Sequence, residues 1–215
     1  MNHAAAHWVP LFPSEEVPFI LAAVLRCCGR LRKKHATEHE NQLSDRLRAR
    51  LDWDGGLKRR PVELYREVPL YDRRRARVRQ KGRSDFFFVF STGTRKPWPY
   101  FALEAKRLHV AFASGKSSLV SEYVTGEQGM MCFVRQRYSQ GLVSGGMLGY
   151  VFDGEIAAAR ASVSAQVSDQ RQLLKTVEPH ALTQSPFSSV DAEVSETVHA
   201  LPHGEFAIYH VFSAV

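Results

Sequence analysis

The chain has 215 residues, of which 44% are hydrophobic and 24% charged, and 29 Lys and Arg stand against 22 Asp and Glu for a formal net charge of +7. This length and composition belong to a globular protein with one substantial core, and the positive surplus favours an anionic partner. Cys27, Cys28 and Cys132 make neither a disulfide framework nor a zinc-ligand spacing, and the apolar run VPFILAAV stops at Arg26, well short of a membrane span. The expectation is a soluble, cytoplasmic protein with no membrane association.

Residues 1–13 hold two prolines and no period, and read as an irregular arm. A helix is predicted from Ser14, with acids in its first turn and Gly29 near its end. A second, TEHENQLSDRLRARL, starts at Thr37 and breaks at DWDGG. Residues 1–36 are thus an arm and helical extension, and residues 37–215 one globular unit. PVELYREVPLYD alternates as a strand bent at Pro69. Arg73, Arg74, Arg75, Arg77, Arg79, Lys81 and Arg83 follow without apolar period, which predicts an exposed loop; a second basic cluster is Arg26, Arg30, Arg32, Lys33 and Lys34. Such runs are either solvated faces or phosphate contacts.

SDFFFVF then reads as a short apolar strand, STGTRKPWP as a turn and YFALEAK as the next strand. Leu119, Tyr123, Met130 and Val134 fall on one helical stripe, predicting a single helix from Ser118 to about Tyr138, with Gly126 packed closely on a strand. GGMLGYVFDG is a strand closed by an Asp-Gly turn, 155–175 a helix, EPHALTQSPFSS a loop and EFAIYHVFSAV a final strand. The order predicts a mixed α/β domain with a single central sheet.

Charge at the edges of two apolar strands carries the chemistry. Asp85 heads the first; Glu104 and Lys106 end the second, two apart and therefore on one face, with Ala105 on the other. If the strands are antiparallel across the 91–99 turn, Asp85 and Glu104 converge, and paired carboxylates suit Mg²⁺ or Mn²⁺. Glu40 lies on the buried stripe of the second helix with Leu43, Leu47 and Leu51, whereas Glu38 and Asp45 point away. It is either a third acid of the site or, at capping-box spacing from Thr37, a helix cap. His109 reads as a surface residue, and His199, His203 and His210 lack metal-ligand spacing. Trp53 and Trp98 cap the core or stack on bases.

ENQLSDRL, GRSDFFFVF and YFALEAKRL together resemble the PD-(D/E)XK nuclease superfamily over residues 37–152, with Ser84 where that family carries proline. The resemblance implies a restriction-endonuclease-like fold, a single mixed central sheet flanked by helices, with the N-terminal helix as an extension. It implies Mg²⁺- or Mn²⁺-dependent phosphodiester hydrolysis, with Asp85, Glu104, Lys106 and Glu40 catalytic. Asp85, Glu104, Glu40 and the Ala105 backbone carbonyl would hold the metal. Lys106 would position water or offset charge, and Arg135, Gln136, Arg137 and Tyr138 are either an ordinary polar helix end or, at the place where the family puts them, phosphate contacts. The partner implied is nucleic acid, DNA before RNA, bound through the 73–83 basic residues with Arg135 and Arg137; a homodimer or partner protein is compatible, and phage defence is one of several roles that suit. Two alternatives are a catalytically silent binding or assembly protein on the same fold, and a structural domain with an Asp85–Lys106 ion pair.

Overall fold

The computed structural model describes residues 12–66, 69–71, 80–83, 85–91, 99–138, 142–190 and 192–215, with backbone alone for 66, 69–71 and 80–83. A short 3-10 turn, Ser14–Glu16, leads into α1 (Val17–Cys28), which carries Pro18 in its first turn, where a missing N–H costs little. Cys27 and Cys28 are buried on α1 as small apolar residues. α2 (Glu40–Leu51) begins three residues later than its sequence pattern predicts, after His39 and without a side-chain cap, so Glu40 is no helix cap. Its buried face is Leu43, Leu47 and Leu51, as the stripe requires.

Strands then alternate with short helices. β1 (Val62–Arg66) and β2 (Pro69–Tyr71) are separate, and β2 pairs with β3 (Gln80–Arg83), so the C-terminal part of the expected basic loop is a strand. β4 (Phe86–Phe90) and β5 (Tyr100–Leu108) carry the two motif segments, and β6 (Val110–Phe112) and β7 (Gly115–Ser117) form a small hairpin. The single helix expected over 118–138 is divided into α3 (Val120–Val124) and α4 (Met131–Val134). Gly126 and Gly129 turn the chain between them, so Gly126 follows a helix end instead of packing on a strand. β8 (Ser144–Val151) precedes α5 (Ile156–Asp169) and α6 (Arg171–Leu174), which Gln170 separates. β9 (Thr183–Gln184), β10 (Ser195–Leu201) and β11 (Gly204–Ala214) complete the chain.

Seven strands form one mixed sheet in the order β1-β4-β5-β8-β11-β10-β9. Its centre, β5-β8-β11, is parallel, and the pairings outside it are antiparallel. α1 and α2 cover one face over Phe86, Phe88, Phe101, Leu103 and Ala105; α3, α4 and α5 cover the other over Phe87, Ala102, Met147, Ile208 and Phe212. The helix expected as an extension, α1, therefore shares a core with α2 and the sheet. β8 must be bare where these layers close: a Cβ at Gly145 would lie 2.5 Å from Phe133 Cε1, and one at Gly146 2.6 Å from Leu103 Cδ1. No helix among the described residues is long and apolar enough to cross a membrane.

β10 is absent from the sequence-based order because its inward face is polar. Ser195, Thr197 and His199 are buried there, and hydrophobic periodicity does not register them. Hydrogen bonds make that burial tolerable. His199 Nδ1 donates to the Leu174 carbonyl at 2.8 Å, which leaves Nε2 to accept from the Thr197 hydroxyl at 2.8 Å. Thr197 Oγ1 then accepts from His210 Nε2 at 3.0 Å, and His210 Nδ1 accepts from the Tyr123 hydroxyl at 3.0 Å. One carbonyl, which can only accept, sets both imidazole tautomers.

Candidate active site

The site lies where the antiparallel β4–β5 ladder ends. Phe86 pairs with Leu103, and one step further along that register sets Asp85 opposite Glu104. The Asp85 carboxylate accepts the Ala105 amide at 2.8 Å. Because side chains alternate along a strand, Glu104 and Lys106 project together on the α3–α4 face while Ala105 packs in the other layer. The head of β4 therefore lies beside the Glu104 segment of β5.

Glu104 is 2% exposed and Lys106 6% exposed. Lys106 Nζ donates to Glu104 Oε1 at 3.1 Å, Glu40 Oε1 at 2.9 Å and the Ala105 carbonyl at 2.6 Å. An ammonium has three N–H donors, so these acceptors saturate it. Burial opposes its charge, but Glu104, Glu40 and Asp85 outweigh that and raise its pKa above the usual lysine range. Glu104 is raised well above the usual carboxylate range, by burial first and by the Asp85 charge next, against the pull of Lys106.

The second Glu104 oxygen, Oε2, is buried with no hydrogen-bond partner. An acceptor in that state calls for a cation or a proton. Asp85, Glu104 and the Ala105 carbonyl offer only hard oxygens, which fit Mg²⁺ or Mn²⁺. Glu40 stands differently. Its Oε2 accepts the Arg107 amide at 3.1 Å and its Oε1 holds Lys106, so it fastens the N-terminus of α2 to β5. Among the described residues no group of three or more His, Cys, Asp and Glu side chains is placed to hold a metal ion. A cation here would take two carboxylates and complete its shell with the carbonyl and water.

A cleft of about 480 Å³ opens beside Lys106, between the start of α2 and the α3–α4 loop, with Glu40, Arg107 and Glu127 in its walls. Arg107 also donates to the Thr37 and Glu38 carbonyls, a positioning role that its place just after the motif did not signal. Tyr138 is buried above the site, where burial and then the Glu104 charge raise its phenol. Its residue type and position on the apolar stripe carried that signal.

Other expected residues are placed elsewhere. Arg73, Arg74, Arg75, Arg77 and Arg79 lie outside the described residues, as does Trp98, while Lys81 and Arg83 are on β3. The second basic cluster is partly spent internally: Arg26 pairs with Asp54, and Lys33 holds the Phe152 and Val215 carbonyls. Glu38, expected to point away, is fully buried, because it holds Arg46 with both oxygens and accepts the Lys34 amide. His109, expected at the surface, is 8% exposed and bonded to Asp153 at 3.1 Å. Trp53 is 80% exposed, with Lys58 over its ring, and does not cap the core. Arg135 and Arg137 both grip Glu127. Comparison with protein-family models, curated proteins and solved structures finds no match to this chain.

Proposed function

We propose that this chain is a restriction-endonuclease-like, divalent-metal-dependent nuclease that hydrolyses phosphodiester bonds of DNA, with Asp85, Glu104 and Lys106 as its catalytic residues. The observation that carries the reading is the buried, unpartnered Glu104 Oε2 beside Asp85, with the Lys106 ammonium spent on the other oxygen. A purely structural ion pair has no use for a stranded acceptor. Mg²⁺ or Mn²⁺ held there would supply Lewis-acid polarisation of a phosphate and a water of lowered pKa. The chain's own part is electrostatic. Glu40, itself held by the Arg107 amide, keeps Lys106 at the cleft, where its ammonium offsets charge growing on phosphoryl oxygens. To orient a water as well, Lys106 would exchange one of its present acceptors for it.

The test is supercoiled plasmid incubated with Mg²⁺ or Mn²⁺, with Asp85→Ala alongside. Expected are metal-dependent nicking by the parent and a loss of about 10²–10³ in the variant, with unchanged circular dichroism. Equal activity in both samples, or none with either metal, ends the assignment. The saturation of Lys106 favours a second reading, a catalytically silent DNA-binding protein on this fold. That protein would bind DNA with strong salt dependence, unaltered by Asp85→Ala.

A further inference from the structure

The α3–α4 loop walls the same cleft as Lys106, and Glu127 is its charged side chain there. Glycines shape the turn around it: a Cβ at Gly126 would lie 2.3 Å from the Glu122 carbonyl oxygen, and one at Gly129 2.3 Å from that of Tyr123. Both Glu127 carboxylate oxygens are engaged, Oε1 by Arg135 Nη1 and Oε2 by Arg137 Nη2. Arg137 Nη1 also reaches the Glu127 carbonyl at 3.4 Å.

Two residues apart on a helix, side chains point about 200° away from each other. Here Gln136, between the arginines, takes a left-handed backbone with φ of 57°, and both guanidiniums meet one carboxylate. That conformation is strained for a residue other than glycine. The ion pairs it permits are open to solvent, with Glu127 57%, Arg135 48% and Arg137 34% exposed, and pairs this exposed contribute little to stability. The contacts therefore barely offset the strain that makes them. Local strain of this kind gathers at ligand clamps.

We infer that Arg135 and Arg137 form a seat for one backbone phosphate of a nucleic acid, and that the Glu127 carboxylate fills this seat in the free protein. Carboxylate and phosphate present matching oxygens to paired guanidiniums, so an entering strand displaces Glu127 instead of adding to a vacant site. Glu127 thereby lowers affinity for every polyanion. The inference rests on the proposed nuclease reading for the identity of the anion.

Fluorescence anisotropy of a labelled DNA duplex in EDTA, which prevents turnover, compares the parent with Glu127→Gln. Expected is roughly 3–10-fold tighter binding and a salt slope steeper by about one. Arg135→Gln/Arg137→Gln weakens binding, and adding Glu127→Gln to that pair gives no gain. A second measurement uses inorganic phosphate alone, followed by the arginine Nε–H resonances. Those of Arg135 and Arg137 shift in Glu127→Gln at concentrations that leave the parent unmoved. A Glu127→Gln protein that neither tightens on DNA nor takes phosphate overturns the seat. Phosphate uptake with no DNA binding by any variant upholds the seat and defeats the nuclease reading.

Discussion

Glu104→Gln separates a cation site from a structural ion pair, because the two give stability changes of opposite sign. Glu104 leaves Oε2 buried without a partner, and a stranded buried polar atom costs about 1–3 kcal/mol. Glutamine keeps an oxygen for Lys106 and can turn N–H donors toward Asp85. The effect depends on pH in a defined sense. The folded-state pKa of Glu104 is raised above its unfolded value by burial and by Asp85. Its stabilising contribution is therefore complete below the unfolded pKa of about 4.3 and is lost as pH rises through the folded pKa. Glutamine does not ionise. The variant should match the parent near pH 4 and gain on it as pH rises, by about 1–3 kcal/mol at pH 8.5, or about 2–4 °C in Tm for each kcal/mol. Urea denaturation and thermal melting in EDTA at both pH values read this directly, and the same variant should lose Mg²⁺-dependent cleavage. A variant less stable than the parent by about 3 kcal/mol at both pH values would refute the reasoning, since Glu104 would then be a net-stabilising partner of Lys106.

Cation binding should displace a proton wherever Glu104 is still protonated, because burial and then the Asp85 charge hold its carboxyl above the usual carboxylate range. Calorimetry of Mn²⁺ binding in two buffers of different ionisation enthalpy should show a buffer-dependent heat and an affinity that rises with pH, and identical heats would argue against it. Burial lowers the pKa of His199 to about 4, and burial with the neighbouring His199 lowers that of His210 to about 3. Both stabilise the fold above the unfolded histidine pKa of about 6.5, and that contribution is lost as pH falls toward 4 and 3. Their imidazole NMR resonances should stay those of neutral rings at pH 5; a midpoint near 6.5 in the folded protein would show the chain of hydrogen bonds to be absent. Glu38→Gln should cost about 1–3 kcal/mol by urea denaturation, because the buried Glu38 oxygens lose their charge-assisted bonds to the part-exposed Arg46; an unchanged stability would contradict those bonds. Gly145→Ala should cost about 1–3 kcal/mol through collision with Phe133, and an unchanged Tm would show that the ring moves aside freely.

The site motif was legible because each of its parts is local. Period-2 alternation sets Glu104 and Lys106 on one face, and the few residues separating the two apolar runs in sequence favour antiparallel neighbours, the pairing that β4 and β5 adopt. The stripe of α2 likewise marks Glu40, which is part-buried and meets Lys106. Less was legible where polar groups are buried. Glu38 and His109 read as surface residues because charge and imidazole usually are, and their partners Arg46 and Asp153 lie 8 and 44 residues away. Of the apolar stripe expected over 118–138, Tyr123, Met130 and Val134 do share one buried face, across two short helices with glycines at 126 and 129 between them, while Leu119 packs in the other layer.

Composition, alternation and helical stripe, which are properties of neighbouring residues, thus determined an α/β chain with an inward-facing acid, lysine and glutamate along adjoining strands. Only the tertiary structure decided which acceptors the Lys106 ammonium takes, which Glu104 oxygen is left without one, and what Arg135 and Arg137 hold. Those outcomes depend on distances between groups remote along the chain and on how much water burial removes around them. A one-dimensional pattern encodes neither.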